Sequence, residues 1–134
     1  MPAHLTLFHH FPPGIEAELG ARLAAYAVAP PPRATLAGII DLGAGTAFRV
    51  VSEELEDIRA GLADAFRMML TPQDGAGWRP HVTIQNKVEP REARQLQQRL
   101  RLTFEPRSLK LRALASWRYL DGPWQPLKTH SFRG

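Results

Sequence analysis

The chain contains no cysteine. Disulfides, thiolate zinc sites, iron–sulfur clusters and a cysteine nucleophile are therefore excluded, and many enzyme classes go with them. Long apolar runs are missing as well. The longest, Leu23 to Pro32, is Ala-rich, ends in prolines and falls far short of the roughly 18–20 residues that a membrane span needs. Met1-Pro2-Ala3-His4 places no basic segment ahead of an apolar one, so no secretory signal is expected and the reading is a cytoplasmic protein. What is present, 134 residues with 44% hydrophobic and 22% charged, fits one globular domain spanning residues 1–134.

A formal net charge of +4 conceals an asymmetry. Residues 1–77 carry five Arg against nine acids, a net −4, whereas residues 78–134 carry twelve Arg and Lys against four acids, a net +8. The basic half could hold an anion, although a solvated surface explains the same counts.

The chain also resembles itself. At an offset of 77, His4, Thr6, Pro13, Leu19, Arg22 and Leu23 fall on His81, Thr83, Pro90, Leu96, Arg99 and Leu100 without a gap. The two copies, 4–51 and 81–132, each read as a strand, a helix and two more strands. His4 to His10 and His81 to Val88 alternate like half-buried strands. Helices follow Pro13 and Pro90, carrying Ile15, Leu19 and Leu23 in the first copy and Ala93, Leu96 and Leu100 in the second. Pro30-Pro31-Pro32 leads into a hairpin, Thr35 to Leu42 and Thr46 to Val51, turning at Gly43-Ala44-Gly45.

Between the copies Ser52 is expected to cap a helix whose apolar stripe runs through Leu55, Ile58, Leu62, Phe66 and Met69, with Met68 at the edge. Leu109 to Leu120 and Gln125 to Phe132 read as two further strands joined by Asp121-Gly122-Pro123. The expected class is α+β, mainly antiparallel sheets with helices packed outside.

The chemistry concentrates in His4-Leu5-Thr6-Leu7 and His81-Val82-Thr83-Ile84. Residues two apart on a strand share a face, so each His and Thr point together while the aliphatic residues point to the core. A pseudo-twofold relation between the copies would bring the two pairs to face each other across a cleft. Two imidazoles flanking one site suit phosphodiester cleavage without a metal: one removes a proton from the attacking oxygen and the other donates to the leaving oxygen, both near neutral pH. The Thr hydroxyls would donate to non-bridging oxygens. A lone His-x-Thr says little; its recurrence with the same aliphatic partners, each before a Pro-started helix, carries the reading.

These residues, together with Arg79-Pro80-His81-Val82-Thr83-Ile84, resemble the 2H phosphoesterase superfamily, the fold of 2′-5′ RNA ligases and cyclic nucleotide phosphodiesterases, over nearly the whole chain. The resemblance implies a bilobal fold with a central cleft and metal-free, cofactor-free action on 2′,3′-cyclic phosphates or 2′-5′ linked RNA ends. His4, Thr6, His81 and Thr83 would be its catalytic residues, and a nucleotide or RNA-end cyclic phosphate its partner, with no membrane and no obligate protein partner. Larger members commonly begin with an additional strand and helix, whereas this chain reaches its first motif at residue 4; one lobe is expected to be trimmed or its missing strand supplied differently.

Strand parity extends the candidate site. Phe8 falls on the face of His4 for stacking on a base, and Lys87 on the face of His81 for holding a phosphate. Arg49 and Arg118 are further phosphate candidates, since a guanidinium fork fits phosphate geometry. His9 and His10 do not read as a metal pair, because consecutive strand residues point opposite ways. Leu109, Leu111, Ala113 and Ala115 are expected on one apolar face, with Trp117 and Tyr119 leaning towards the core and Trp124 and His130 structural or superficial. The loop Thr71 to Pro80, with Trp78, reads either as a cover over a ligand or as a plain connection. A binding module that uses the same cleft for RNA or nucleotides without turnover is the alternative to an enzyme.

Overall fold

A computed structural model describes residues 3–118 and 124–133. Its main sheet has four strands, all antiparallel, in the order β3-β2-β1-β4: β1 (Arg33–Asp41), β2 (Thr46–Val51), β3 (His81–Gln85) and β4 (Arg107–Lys110). A separate hairpin pairs β5 (Ala113–Arg118) with β6 (Gln125–Ser131). The helices are α1 (Glu16–Ala27), α2 (Glu53–Ala65), the single turn α3 (Pro72–Gly75) and α4 (Pro90–Thr103). The class is α+β. No helix among the described residues is long and apolar enough to cross a membrane.

Local chemistry sets the boundaries. A 3-10 turn, Pro13–Ile15, leads into α1, and Pro90 opens α4 where a missing backbone donor costs nothing. Ser52 caps α2, its Oγ accepting from the Leu55 N–H at 3.1 Å, with Glu53, Glu54 and Glu56 in the positive first turn. Gly43 takes φ 81 in the β1–β2 turn, a left-handed conformation that suits glycine, while the Leu42 N–H closes onto the Gly45 carbonyl at 3.0 Å.

Two apolar cores result. The first joins α1, α2 and the β5–β6 hairpin through Leu23, Leu62, Phe66, Leu114 and Phe132. The second lies on one face of the main sheet, where Ala34, Leu36 and Val50 meet Val82, Leu109 and Phe48, whose ring stacks on Phe104 at the end of α4 with centroids 5.6 Å apart. Leu5 and Leu111 pack against both. Helix α4 is seated partly by polar contacts: buried Gln97 donates through Nε2 to Asp41 Oδ1 at 3.1 Å, the Gly45 carbonyl at 3.3 Å and Thr46 Oγ1 at 3.1 Å. Each of those acceptors is thereby satisfied inside the fold.

Several sequence expectations need correction. Residues 4–10 do not form a strand; Leu5 alone makes a bridge, antiparallel to Val82, because the neighbouring backbone groups are held by side chains. The stretch from Leu109 is not one strand. It breaks at Leu111-Arg112, so that β4 joins the main sheet and β5 the hairpin, and the buried position becomes Leu114 while Ala115 is exposed. The Asp121-Gly122-Pro123 turn and Tyr119 lie outside the described residues. Met68 and Met69 are exposed, at 89% and 44%, because α2 ends at Ala65 and a 3-10 turn at Arg67–Met69 changes the period; Phe66 is the last buried residue of the stripe.

Gly45 is fixed by contact. A Cβ there would collide with the backbone carbonyl oxygen of Gln85, where β3 ends against the hairpin turn. Gly45→Ala is expected to destabilise the fold by about 1–3 kcal/mol, measurable by urea unfolding.

Candidate active site

The second motif lies on β3, at one edge of the main sheet. Its register sets Ala47 opposite Thr83, Phe48 opposite Val82 and Arg49 opposite His81. Val82 turns inward with Phe48, which gives His81 and Thr83 the opposite face, together with Arg49. Thr83 and Arg49 are exposed and His81 is partly so. The His81 Nδ1 lies 2.7 Å from the Arg79 carbonyl oxygen. A carbonyl only accepts, so Nδ1 carries a hydrogen and Nε2 is the nitrogen left to exchange a proton.

The first motif reaches the outer side of β3 through the antiparallel Leu5–Val82 bridge. Carried one residue either way, that register sets His4 opposite Thr83 and Thr6 opposite His81. Leu5 packs into both cores, and alternation gives its two neighbours the face that His81 and Thr83 occupy. The motifs therefore meet where Leu5 pairs with Val82, and continued alternation would set each His beside the other motif's Thr. The surface depressions at Asp64–Met69 and at Ala24, Ala27 and His130 lie elsewhere.

Arg49 is brought to this group. Its guanidinium extends over Gly38 on β1 and donates through Nη2 to the Ala37 carbonyl at 3.4 Å; a Cβ at Gly38 would stand 3.6 Å from Nε and Nη2. Other candidates are placed differently. Lys87 lies beyond the end of β3, exposed, with φ 55 and its N–H on Asn86 Oδ1 at 2.9 Å, so strand parity does not reach it. Phe8 is half-buried, its ring 4.9 Å from that of Phe11, with the Arg59 guanidinium 4.5 Å from its centroid. Arg118 binds Glu16 of α1 through Nε at 3.0 Å and Nη2 at 2.6 Å. That hydrogen-bonded guanidinium holds the Glu16 carboxyl below its usual pKa.

Three residues that no motif singles out secure the first motif. Trp78 donates through Nε1 to the Thr6 carbonyl at 2.9 Å, and Arg59 donates through Nε to the Leu7 carbonyl at 3.0 Å. Asp74, only 2% exposed, accepts from the His9 N–H at 2.9 Å and the His10 N–H at 3.0 Å, while the His9 Nδ1 lies 3.1 Å from its Oδ1. A Thr-Pro-x-Asp pattern signals the local part: Thr71 caps α3 by accepting from the Asp74 N–H at 3.2 Å. Nothing local announces the contacts to residues 6–10, which span 52 positions or more. Among the described residues, no three His, Cys, Asp or Glu side chains converge on a metal-binding arrangement.

Burial works to raise the Asp74 carboxyl, but the His9 and His10 N–H groups and the His9 imidazole outweigh it and leave it below the ordinary value. A depressed carboxylate stabilises the fold above its unfolded pKa of about 3.9 and loses that contribution as pH falls through the folded value. Asp74→Ala, which strips two backbone donors of their acceptor, is expected to cost about 1–3 kcal/mol at pH 7. In urea titrations across pH, the gap between wild type and variant should narrow below pH of about 4.

No curated protein matches the chain. The family model of the 2′-5′ RNA ligase superfamily matches residues 1–123. With that match over most of its length and the α+β architecture described above, the chain belongs to the 2′-5′ RNA ligase superfamily of 2H phosphoesterases.

Proposed function

We propose that the protein is a metal-independent phosphodiesterase that opens the 2′,3′-cyclic phosphate of a nucleotide or an RNA end, with His4 and His81 as its acid–base pair. The observation that carries this reading is the antiparallel Leu5–Val82 bridge, which joins the two motifs at the residue between the His and the Thr of each. Family membership supports a phosphoesterase or ligase of the 2H type.

In the hydrolytic direction a neutral imidazole takes a proton from water as the water oxygen bonds to phosphorus. The opposite imidazolium donates a proton to the departing ribose oxygen as its bond to phosphorus breaks. One water is consumed, and the two imidazoles end with their protonation states exchanged. His81 performs its part through Nε2, the nitrogen left outward by the Arg79 carbonyl. Thr6 and Thr83 donate to the non-bridging oxygens, and Arg49, opposite His81, offsets the charge of the phosphoryl group. Lys87, in the loop just past β3, supplies a second cation at that end of the strand. The same residues would serve ligation, in which a 5′-hydroxyl takes the place of water as the nucleophile, opens the same cyclic phosphate by breaking one ring P–O bond and forms a 2′-5′ linkage.

Phosphorus NMR of 2′,3′-cyclic nucleotides and a cyclic-phosphate-ended RNA, incubated with the protein in EDTA, tests this directly. Wild type is expected to open the ring, and His4→Ala and His81→Ala each to lose about a hundredfold or more of turnover. A bell-shaped pH profile should accompany the activity. Loss in EDTA recovered by a divalent ion would overturn the mechanism, and salt-sensitive binding without turnover would favour a binding module. Arg49 is probed through its support: Gly38→Val is expected to displace the guanidinium and raise KM several-fold. Gly38→Ala, whose methyl would make an ordinary 3.6 Å contact, should leave KM close to wild type.

A further inference from the structure

We propose that Arg59, Asp74 and Trp78 form a clamp that sets the register of the His4–Thr6 segment against β3, and so act as positioning residues for the acid–base pair; their effect on turnover rests on the function proposed above.

One backbone bridge is a weak determinant of register. A slip by one residue moves every side chain of an extended segment to the other face, which would turn His4 and Thr6 towards the core and Leu5 out to solvent. Segment 4–10 has no further ladder to prevent this. Its backbone is held instead at four successive points: the carbonyls of Thr6 and Leu7 and the N–H groups of His9 and His10. Each point accepts a partner of one polarity at one place, so together they admit a single alignment.

The three side chains also act as one body. Arg59 donates through Nη2 to the Asp74 carbonyl at 2.8 Å, and its guanidinium lies between the Phe8 and Trp78 rings, 4.5 and 5.2 Å from their centroids. Asp74 is buried, and α3 fixes its backbone through the Thr71 cap. Trp78 stands three positions before His81, in the segment that leads into β3. The loop that delivers the second motif therefore grips the first, and the spacing of the two His–Thr pairs is set by a part whose own side chains need not touch substrate. The loop is thereby more than a bare connection.

Trp78→Phe keeps an aromatic ring and removes one donor; Asp74→Asn keeps one acceptor oxygen, replaces the other with an NH2 donor and removes the charge. Both would be compared with wild type in three readouts: the cross-strand nuclear Overhauser contact between Leu5 and Val82, thermal unfolding, and kcat and KM on a 2′,3′-cyclic nucleotide. The clamp predicts a weakened Leu5–Val82 contact in both variants while contacts between β1 and β2 stay intact. It also predicts kcat down about ten- to a hundredfold with KM changed less than about threefold, since misplacement of a reacting group costs rate more than binding. A wild-type Leu5–Val82 contact in both folded variants would overturn the clamp, as would an unchanged kcat in variants that have lost the contact. Should wild type turn over no cyclic phosphate, the proposed function fails, and the Leu5–Val82 contact alone still decides whether the clamp sets register.

Discussion

The two His–Thr motifs are joined where Leu5 meets Val82. One aliphatic residue near the start of the chain bridges the edge of the main sheet and fills space in both apolar cores. Full burial of such a side chain is worth about 1.5–3 kcal/mol; Leu5 is partly buried and contributes a fraction of that. With Leu5 inward, strand alternation would direct its polar neighbours to the face of His81 and Thr83. Leu111 joins the same two cores from the other end of the chain, at the break between β4 and β5. Packing and placement of polar groups are thus the same event at these positions.

Features encoded in short stretches of sequence were legible. The Ser52 cap, the proline-started helices and the hairpin with its Gly43 turn are each decided within a few residues, and the second motif is a strand because β2 lies beside it. Recurrence of His-x-Thr at a fixed offset pointed to the residues that the bridge aligns. What escaped was settled at long range. An alternating sequence from His4 to His10 looks like a strand, yet its carbonyls and amides are taken by Trp78, Arg59 and Asp74. Parity failed for Lys87 because β3 ends at Gln85 and the backbone turns left-handed two residues later. Arg118 has the right chemistry for phosphate, but Glu16 is bound to it, and periodicity cannot foresee a partner 102 positions away.

Gln97 illustrates how polar residues enter a core without loss. An amide on the buried stripe of a helix is costly when unpaired, yet this one meets three acceptors at the hairpin turn. The Asp41 carboxyl is held below its ordinary pKa by the Gly43 N–H and then by Gln97. Helix and turn are thereby matched by direction as well as by shape, since an apolar stripe could slide along the sheet where this one cannot.

The range of the contacts around segment 4–10 bears on the order in which the molecule assembles. Its bonds to Asp74 and Trp78 close loops of 64 to 72 residues, whereas the β1–β2 hairpin closes over a few. Long loops lose more chain entropy on closure and form later than local ones. The hairpin and helices can form while the start of the chain is still loose, and the His4 side of the face is completed last. During synthesis, residues 6–10 would wait for Asp74 and Trp78, 64 to 72 positions further on, to emerge before they find their place.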